Sequence, residues 1–490
     1  EQSRAEQSRA EQSRAEQSRA EQSRAEQSRA EQSRASRVRN SWRFHRPRGM
    51  DAFDWSLRAS ALRNQPRTRA EQQFVELSSQ EFGSYVKKYS YGNFLQTVEM
   101  GKLRKVRGWQ IYYLGVKADG DIILGALLAS IKMRTGHYFE ITGGLIGDYT
   151  NLPMVTFFTH SLVDFCKKRK GIYLALTPDI VNRIDSKNLA NCQKLENALI
   201  TENNLISVGF KKFDSGDNPF PFGFPKYSYI KDLSEITLDN LKHSYTHNGK
   251  YFIKKANNAG ITTRRLSYEE LEKFHKITTE TAKRCDFEDK SLDYYQKFYR
   301  CFEDSAIFLM ASINFDTYLN NLILEDTQVK KNNLIIKDKL RKNEQSNKIQ
   351  TRLKENQKQL EVVKQRIITA KQYLEKYGSG EIDISCGLFI FLPQEAVYFS
   401  SGTLDDFRQF YAPYLIQDEM IKESLKRGIK RYNFYGLLGK FDGTDGILKF
   451  KSHFNGYIEE KIGGYTLVIS PVRYLILRLV SKISTLLKLS

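Results

Sequence analysis

The chain has 490 residues, enough for two or three domains, and its 40% hydrophobic content suits globular cores. A formal charge of +20 favours an anionic partner (nucleic acid, a phosphate-bearing substrate or an anionic membrane surface) without choosing among them. The five cysteines, Cys166, Cys192, Cys285, Cys301 and Cys386, form no C-x-x-C pair, which excludes a zinc or redox motif of that kind, and no run reaches the roughly 18 apolar residues that span a bilayer.

Residues 1–35 are seven identical copies of Glu-Gln-Ser-Arg-Ala. A period of five matches neither 3.5 nor 3.6, so it builds no apolar stripe. Residues 1–70 hold 16 Arg and no Lys, Ile or Tyr, whereas the chain from Lys87 onward is rich in Lys, Ile, Asn and Tyr. The break predicts a disordered extension, 1–70, fused upstream of a folded protein; a basic RNA-binding or membrane-binding tail is the functional alternative. Its 16 Arg stand against seven Glu and two Asp, so without it the charge falls from +20 to +13.

Residues 71–232 alternate strand and helix signals. Ile111–Val116 and Ile122–Ala129 are apolar and flank Ala118-Asp119-Gly120-Asp121, which predicts a hairpin. Tyr138–Thr142 follows as a strand, Leu152–Lys168 as an amphipathic helix stopped by Gly171, and Ile172–Leu176 as a short buried strand. Three prolines between Pro219 and Pro225 forbid a helix and predict a loop. Residues 233–317 and 379–470 form a second α/β unit. Its helices are expected near Ser267–Thr281, Ser291–Phe302 and Tyr411–Arg427, its strands near Ile307–Asn314, Ile384–Phe391 and Ala396–Ser400. Both units show a hairpin followed by helix and strand, the pattern of a duplicated module.

Tyr318–Tyr377 has no Pro and no Gly. Apolar residues recur at helical spacing on both sides of the polar segment Lys342–Asn347, which predicts two antiparallel helices, a coiled-coil hairpin inserted over residues 318–378. Glu325–Tyr377 holds 14 Lys or Arg against 7 Asp or Glu, so this arm is either a phosphate-backbone contact for RNA or a solvated or dimerising face. The last segment, 471–490, interleaves Leu475, Ile476, Leu479, Val480 and Ile483 with Arg473, Arg478, Lys482 and Lys488. It fits an interfacial helix on anionic lipid and equally a terminal helix docked on the protein.

No Walker loop, G-x-S-x-G or H-E-x-x-H occurs, and His243 and His247 lack a third metal ligand, so no metal is expected. The specific signals are Phe94-Leu95-Gln96-Thr97-Val98-Glu99-Met100-Gly101, Glu288–Tyr295, Tyr432-Asn433-Phe434-Tyr435-Gly436 and, most of all, Gly443-Thr444-Asp445-Gly446-Ile447-Leu448-Lys449-Phe450-Lys451-Ser452-His453-Phe454-Asn455-Gly456-Tyr457. With these segments and the inserted hairpin, the chain from about Phe74 onward resembles the Fem family of peptidoglycan-bridge aminoacyltransferases, in particular the MurN-type alanyltransferases of streptococci.

The resemblance implies an α/β (α+β) fold of two acetyltransferase-like (GNAT-like) domains with a seryl-tRNA-synthetase-like arm. It implies transfer of Ala or Ser from aminoacyl-tRNA to an amine of a lipid-linked muropeptide, at the cytoplasmic face of the membrane. An aminoacyl ester is already activated, so no cofactor is required; positioning and a cationic donor suffice. By the same match Phe450 stacks on the terminal adenine and Lys451 stabilises developing charge or the tRNA end. Asp148 either takes a proton from the amine or stabilises a turn. Arg104 and the basic stretch with Lys250, Lys254 and Lys255 face the precursor's phosphates, and Tyr398 contacts nucleotide or sugar. Met100 stands where the family usually has Trp, and the family's common Arg is missing from 248–256. The alternative is a non-catalytic RNA-binding or membrane-associated scaffold on the same fold.

Overall fold

The computed structural model describes residues 72–479, apart from residues 188, 190, 191, 215, 217, 219, 343 and 344. The expected extension 1–70 and residues 480–490 of the expected terminal helix lie outside the described residues.

Local chemistry sets the first elements. Strands Gln110–Ala118 and Asp121–Met133 are joined by Asp119 and Gly120 at φ 52° and 87°. Two central residues at positive φ match the right-handed twist of the flanking strands, the usual reason for an Asp-Gly hairpin. The helix Leu152–Lys168 has the bounds expected of it. Asn151 caps it by accepting from the Met154 N–H at 3.1 Å, and Val155, Phe158, Leu162 and Cys166 bury one face. Lys170 at φ 57° turns the chain back into the strand Gly171–Thr177.

Two eight-stranded sheets result. The first runs Gln73–Glu76, Gln110–Ala118, Asp121–Met133, Gly136–Thr142, Gly171–Thr177, Tyr465–Val468, Lys211–Lys212, with Ile146–Gly147 paired beside Asp121–Met133. The second runs Thr262–Arg265, Ala306–Asn314, Glu381–Phe391, Ala396–Thr403, Arg431–Gly436, Tyr227–Asp232, Tyr457–Lys461, Val181–Asp185. Each sheet has one parallel pair, and each such pair is bridged by one helix: Leu152–Lys168 in the first, Ala412–Lys426 in the second. The duplicated module expected from the sequence is visible in this repeat. The strands Val181–Asp185 and Tyr227–Asp232 belong to the second sheet and Tyr465–Val468 to the first, so the chain crosses between sheets at both ends.

The prolines of 219–225 exclude an α-helix but tolerate one tight turn, and Pro221–Gly223 is a 3-10 turn with Phe222 at φ 52°. The inserted hairpin consists of Phe315–Lys342 and Asn347–Tyr377. Leu322, Val329, Val363 and Ala370 are buried in it, and Arg366 pairs with Glu325 across the two helices at 3.0 Å. Its root is aromatic: Phe315 stacks on Tyr373 and Tyr377 with centroids 5.0 and 5.8 Å away.

A buried ionic network lies where the chain passes between sheets. Glu459 accepts two hydrogen bonds from Arg431 at 2.8 and 2.7 Å and pairs with Lys461 at 3.0 Å. Lys461 also pairs with Asp179 at 2.6 Å, and Asp179 accepts from Asn93 at 2.7 Å. Glu395 accepts from Asn433 at 3.1 Å and from Arg431 at 3.3 Å. Three carboxylates thus share two cations.

Candidate active site

The parallel pairing of the second sheet is short: Ala396 faces Tyr432, Val397 faces Asn433, and it stops there. Just beyond, the strand Arg431–Gly436 bulges, its register with Tyr227–Asp232 shifting between Asn433 and Gly436. Tyr435 sits at φ 64°, a conformation unusual for a bulky residue. The Asn433 side chain holds it there, its Oδ1 accepting from the Tyr435 N–H at 2.8 Å. The consequence is that two successive carbonyls turn toward one side chain. Lys451 Nζ donates to the oxygen of Gly436 at 2.6 Å and of Tyr435 at 3.3 Å.

Lys451 lies on the helix Gly446–Ser452, which Asp445 caps by accepting from the N–H groups of Ile447 and Leu448 at 2.8 and 3.2 Å. Lys451 is only 4% exposed. Burial pulls its ammonium down to about 7, against the charge of Asp445, which favours the protonated form. An ammonium has three donors. Two are taken by carbonyls; the third has no partner among the described residues. Asp445 is also buried, and its Oδ2 accepts no hydrogen bond among the described residues. Asp445→Asn keeps the capping oxygen and removes the charge. The ammonium should then lose its proton at lower pH, and the pH profile of activity should shift downward; an unmoved profile would separate the two residues.

Aromatic rings surround the pair. Phe450 is half-buried and meets Tyr414 edge-on at 4.8 Å and Phe454 at 5.7 Å. Tyr414 shares a 2.9 Å hydrogen bond with His453 Nδ1, and burial, then Lys449, pushes that imidazole below its usual range. The helix His247–Asn258 docks directly on this segment. Thr246 Oγ1 donates to the His453 carbonyl at 2.9 Å and accepts from the Gly249 N–H at 3.2 Å. A Cβ at Gly249 would fall well inside van der Waals contact distance of that same carbonyl oxygen. Gly249→Ala should therefore displace the helix and lower both the melting temperature and the transfer rate. Wild-type values for both would show that the approach is not needed.

This helix carries Lys250 and Lys254 exposed, and Lys255 folded over the rings of Tyr251 and Tyr411 at 4.8 and 5.7 Å. Phe450, Lys451 and the three helix lysines therefore gather in one region. Tyr398 is half-buried, stacked on Phe389 at 5.2 Å, and packs against the same core as Phe450; burial pushes its phenol up to about 12. Asp148 and Arg104 lie on the first-sheet side of the fold. Asp148 is exposed and accepts from the N–H and hydroxyl of Thr150 at 2.8 and 2.6 Å, the turn-stabilising arrangement. Arg104 is buried, paired with Glu140 and 5.7 Å over the ring of Trp109. Asn433, Tyr435 and Asp445 stand in the sequence segments that carry the family likeness, yet nothing in their residue type announces that they hold Lys451.

Two mixed sheets, each opened at a helix-bridged parallel pair, define an α/β protein of two similar halves, here with a buried lysine at one opening. The profile of the FemAB family matches residues 77–482. The aminoacyltransferase FemA of Staphylococcus aureus strain bovine RF122 / ET3-1 is 30% identical over 398 residues, 80% of this chain and 94% of that protein; FemA of strain N315 gives the same figures. Among solved structures, the crystal structure of FemX aligns with a TM-score of 0.64 at 21% identity, covering 82% of this chain and 99% of that one, a likeness of fold. The chain belongs to the FemAB family, and with it to the aminoacyltransferases.

Proposed function

We propose that the enzyme moves alanine or serine from aminoacyl-tRNA to an amine of a lipid-linked peptidoglycan stem peptide, building the interpeptide bridge at the inner face of the membrane. The observation that carries this reading is Lys451: a buried ammonium, fixed by two carbonyls, with one donor to spare. The amine attacks the ester carbonyl, the new C–N bond forms, and the C–O bond to the ribose breaks. The free donor of Lys451 meets the oxyanion of the intermediate. The ribose hydroxyl leaves with a proton, the amine having lost one. Phe450, half-buried, offers a ring to the terminal base. Lys250 and Lys254 give contacts to the phosphates of the lipid-linked precursor, and the basic arm gives contacts to the RNA backbone.

The test is a transfer assay with Ala-tRNA and Ser-tRNA side by side and a lipid-linked muropeptide as acceptor. Transfer from one of them supports the reading; none with any muropeptide acceptor ends it. Lys250→Gln with Lys254→Gln should raise KM for the lipid-linked muropeptide several-fold and leave kcat nearly unchanged. An unchanged KM would remove these lysines from the contact with the precursor's phosphates.

A further inference from the structure

The helix that starts at Pro471 rests on the protein by Tyr474, whose ring lies 5.6 Å from that of Tyr173, and by Leu477, which is half-buried. The opposite face is apolar and open. Val472 is 69% exposed, Leu475 59%, Ile476 43% and Leu479 52%. Their spacing of i, i+3, i+4, i+7 makes one stripe. In the sequence, Val480, Ile483, Leu486 and Leu487 continue that spacing, and residues 462–490 contain Arg473, Arg478, Lys482 and Lys488 but no Asp or Glu.

The root of this helix is fixed beside a second basic group. The Ile469 and Ser470 N–H groups both donate to the Ile172 carbonyl, at 2.9 and 3.1 Å, which sets the root against the end of the helix Leu152–Lys168. Lys168 and Lys170 follow there, and Lys132 and Arg134 lie on the neighbouring strand end and turn. Lys132 and Lys170 flank the imidazole of His137, and the backbone N–H of His137 donates to the Lys170 carbonyl at 2.9 Å. All four basic residues are exposed, and none makes an ion pair among the described residues.

We propose that the exposed stripe of helix 471–479 and this unpaired basic rim form a docking face for an anionic phospholipid surface. The aliphatic side chains enter the boundary of the acyl chains while the basic groups meet headgroup phosphates. RNA would use the charges but not the four aliphatic side chains. A second copy of the chain would bring like charges together. The inference deepens the reading of a lipid-linked acceptor and rests on it for purpose only; the vesicle measurement that decides it involves neither tRNA nor muropeptide.

The experiment is co-sedimentation of the full chain with vesicles of phosphatidylglycerol and phosphatidylcholine, and of phosphatidylcholine alone. Binding is expected to the anionic vesicles, at least tenfold weaker to the neutral ones, and weakened by salt. Leu475→Gln with Leu479→Gln keeps helix propensity and should lower binding at least tenfold with an unchanged melting curve. Lys168→Gln with Lys170→Gln should lower it by roughly fivefold per charge. Transfer to a water-soluble acceptor peptide should be unaffected by the leucine pair. No binding to anionic vesicles, equal binding to both kinds, or undiminished binding by the leucine pair would overturn the proposal. So would a lipid-free dimer that the leucine pair abolishes, since a second copy would then cover the stripe. Failure of transfer in the unmutated chain would instead count against the proposed reaction and leave the vesicle result standing.

Discussion

Lys451→Met should lower kcat for aminoacyl transfer about 10²–10³-fold near neutral pH, the usual cost of losing one oxyanion donor, and change charged-tRNA affinity little. Methionine keeps the apolar stem but removes the charge and the two hydrogen bonds to the Tyr435 and Gly436 carbonyls. A melting curve beside the assay separates loss of turnover from unfolding; relief of the buried charge, held at about 7, works against the loss of those two bonds. The sign follows from proton counting. The ordinary value is 10.5, so between about 7 and 10.5 the unfolded chain binds the extra proton and stability rises with pH. That rise should vanish in Lys451→Met. The free enzyme's kcat/KM should fall as pH rises through about 7, and Lys451→Arg, which stays charged, should retain some activity and lack that limb. Unchanged turnover in Lys451→Met would take the residue out of the mechanism.

The second large effect is expected at the ionic network. Burial pushes the Glu459 carboxyl up, but Lys461 and Arg431 outweigh it and hold it well below the usual range. Its stabilisation is therefore present above the ordinary carboxylate pKa and is lost only as pH falls far below it. Glu395 behaves oppositely: burial raises it despite Arg431. The difference follows from stoichiometry, since Asp179, Glu395 and Glu459 share only Lys461 and Arg431. The surplus negative charge falls on Glu395. Glu459→Gln should cost about 1–3 kcal/mol in chemical denaturation, because it removes the carboxylate that pairs with both cations and leaves Lys461 only Asp179 and Arg431 only Glu395. Glu395→Gln should cost less than about 1 kcal/mol, since a neutral side chain suits that place. Equal losses from the two substitutions would contradict this division.

Much of the architecture is legible residue by residue where the determinants are local. Asp119-Gly120 announces its hairpin, Gly171 stops the helix that precedes it, and the Pro- and Gly-free stretch from Tyr318 to Tyr377 announces the arm. The exchanged strands are not legible. Tyr457–Lys461 reads Tyr-Ile-Glu-Glu-Lys, a surface-like string, yet its last four residues are buried, because the charges that neutralise Glu459 and Lys461 come from Arg431 and Asp179. The candidate site divides the same way. Phe450 and Lys451 are recognisable from their segment, and the helix lysines from theirs. The bulge that aims two carbonyls at Lys451 depends on a tyrosine at positive φ and on Asn433, which composition and periodicity do not encode.

The arm enters and leaves the fold at one place. Asn314 and Glu381 are register partners on adjacent antiparallel strands, and the helices of 28 and 31 residues rise between them. The root ties the arm to the fold: Phe315, Tyr318, Tyr373 and Tyr377 pack on Phe407 and Phe410, and Asn321 donates to the Asn258 carbonyl at 3.1 Å. Beyond Leu322 the arm is a boom of about 30 Å whose span is set by counting turns rather than by the sheet it stands on. Heptads can be added to or removed from its tip in matched pairs, and reach can drift between related chains while the chemistry at the base stays untouched.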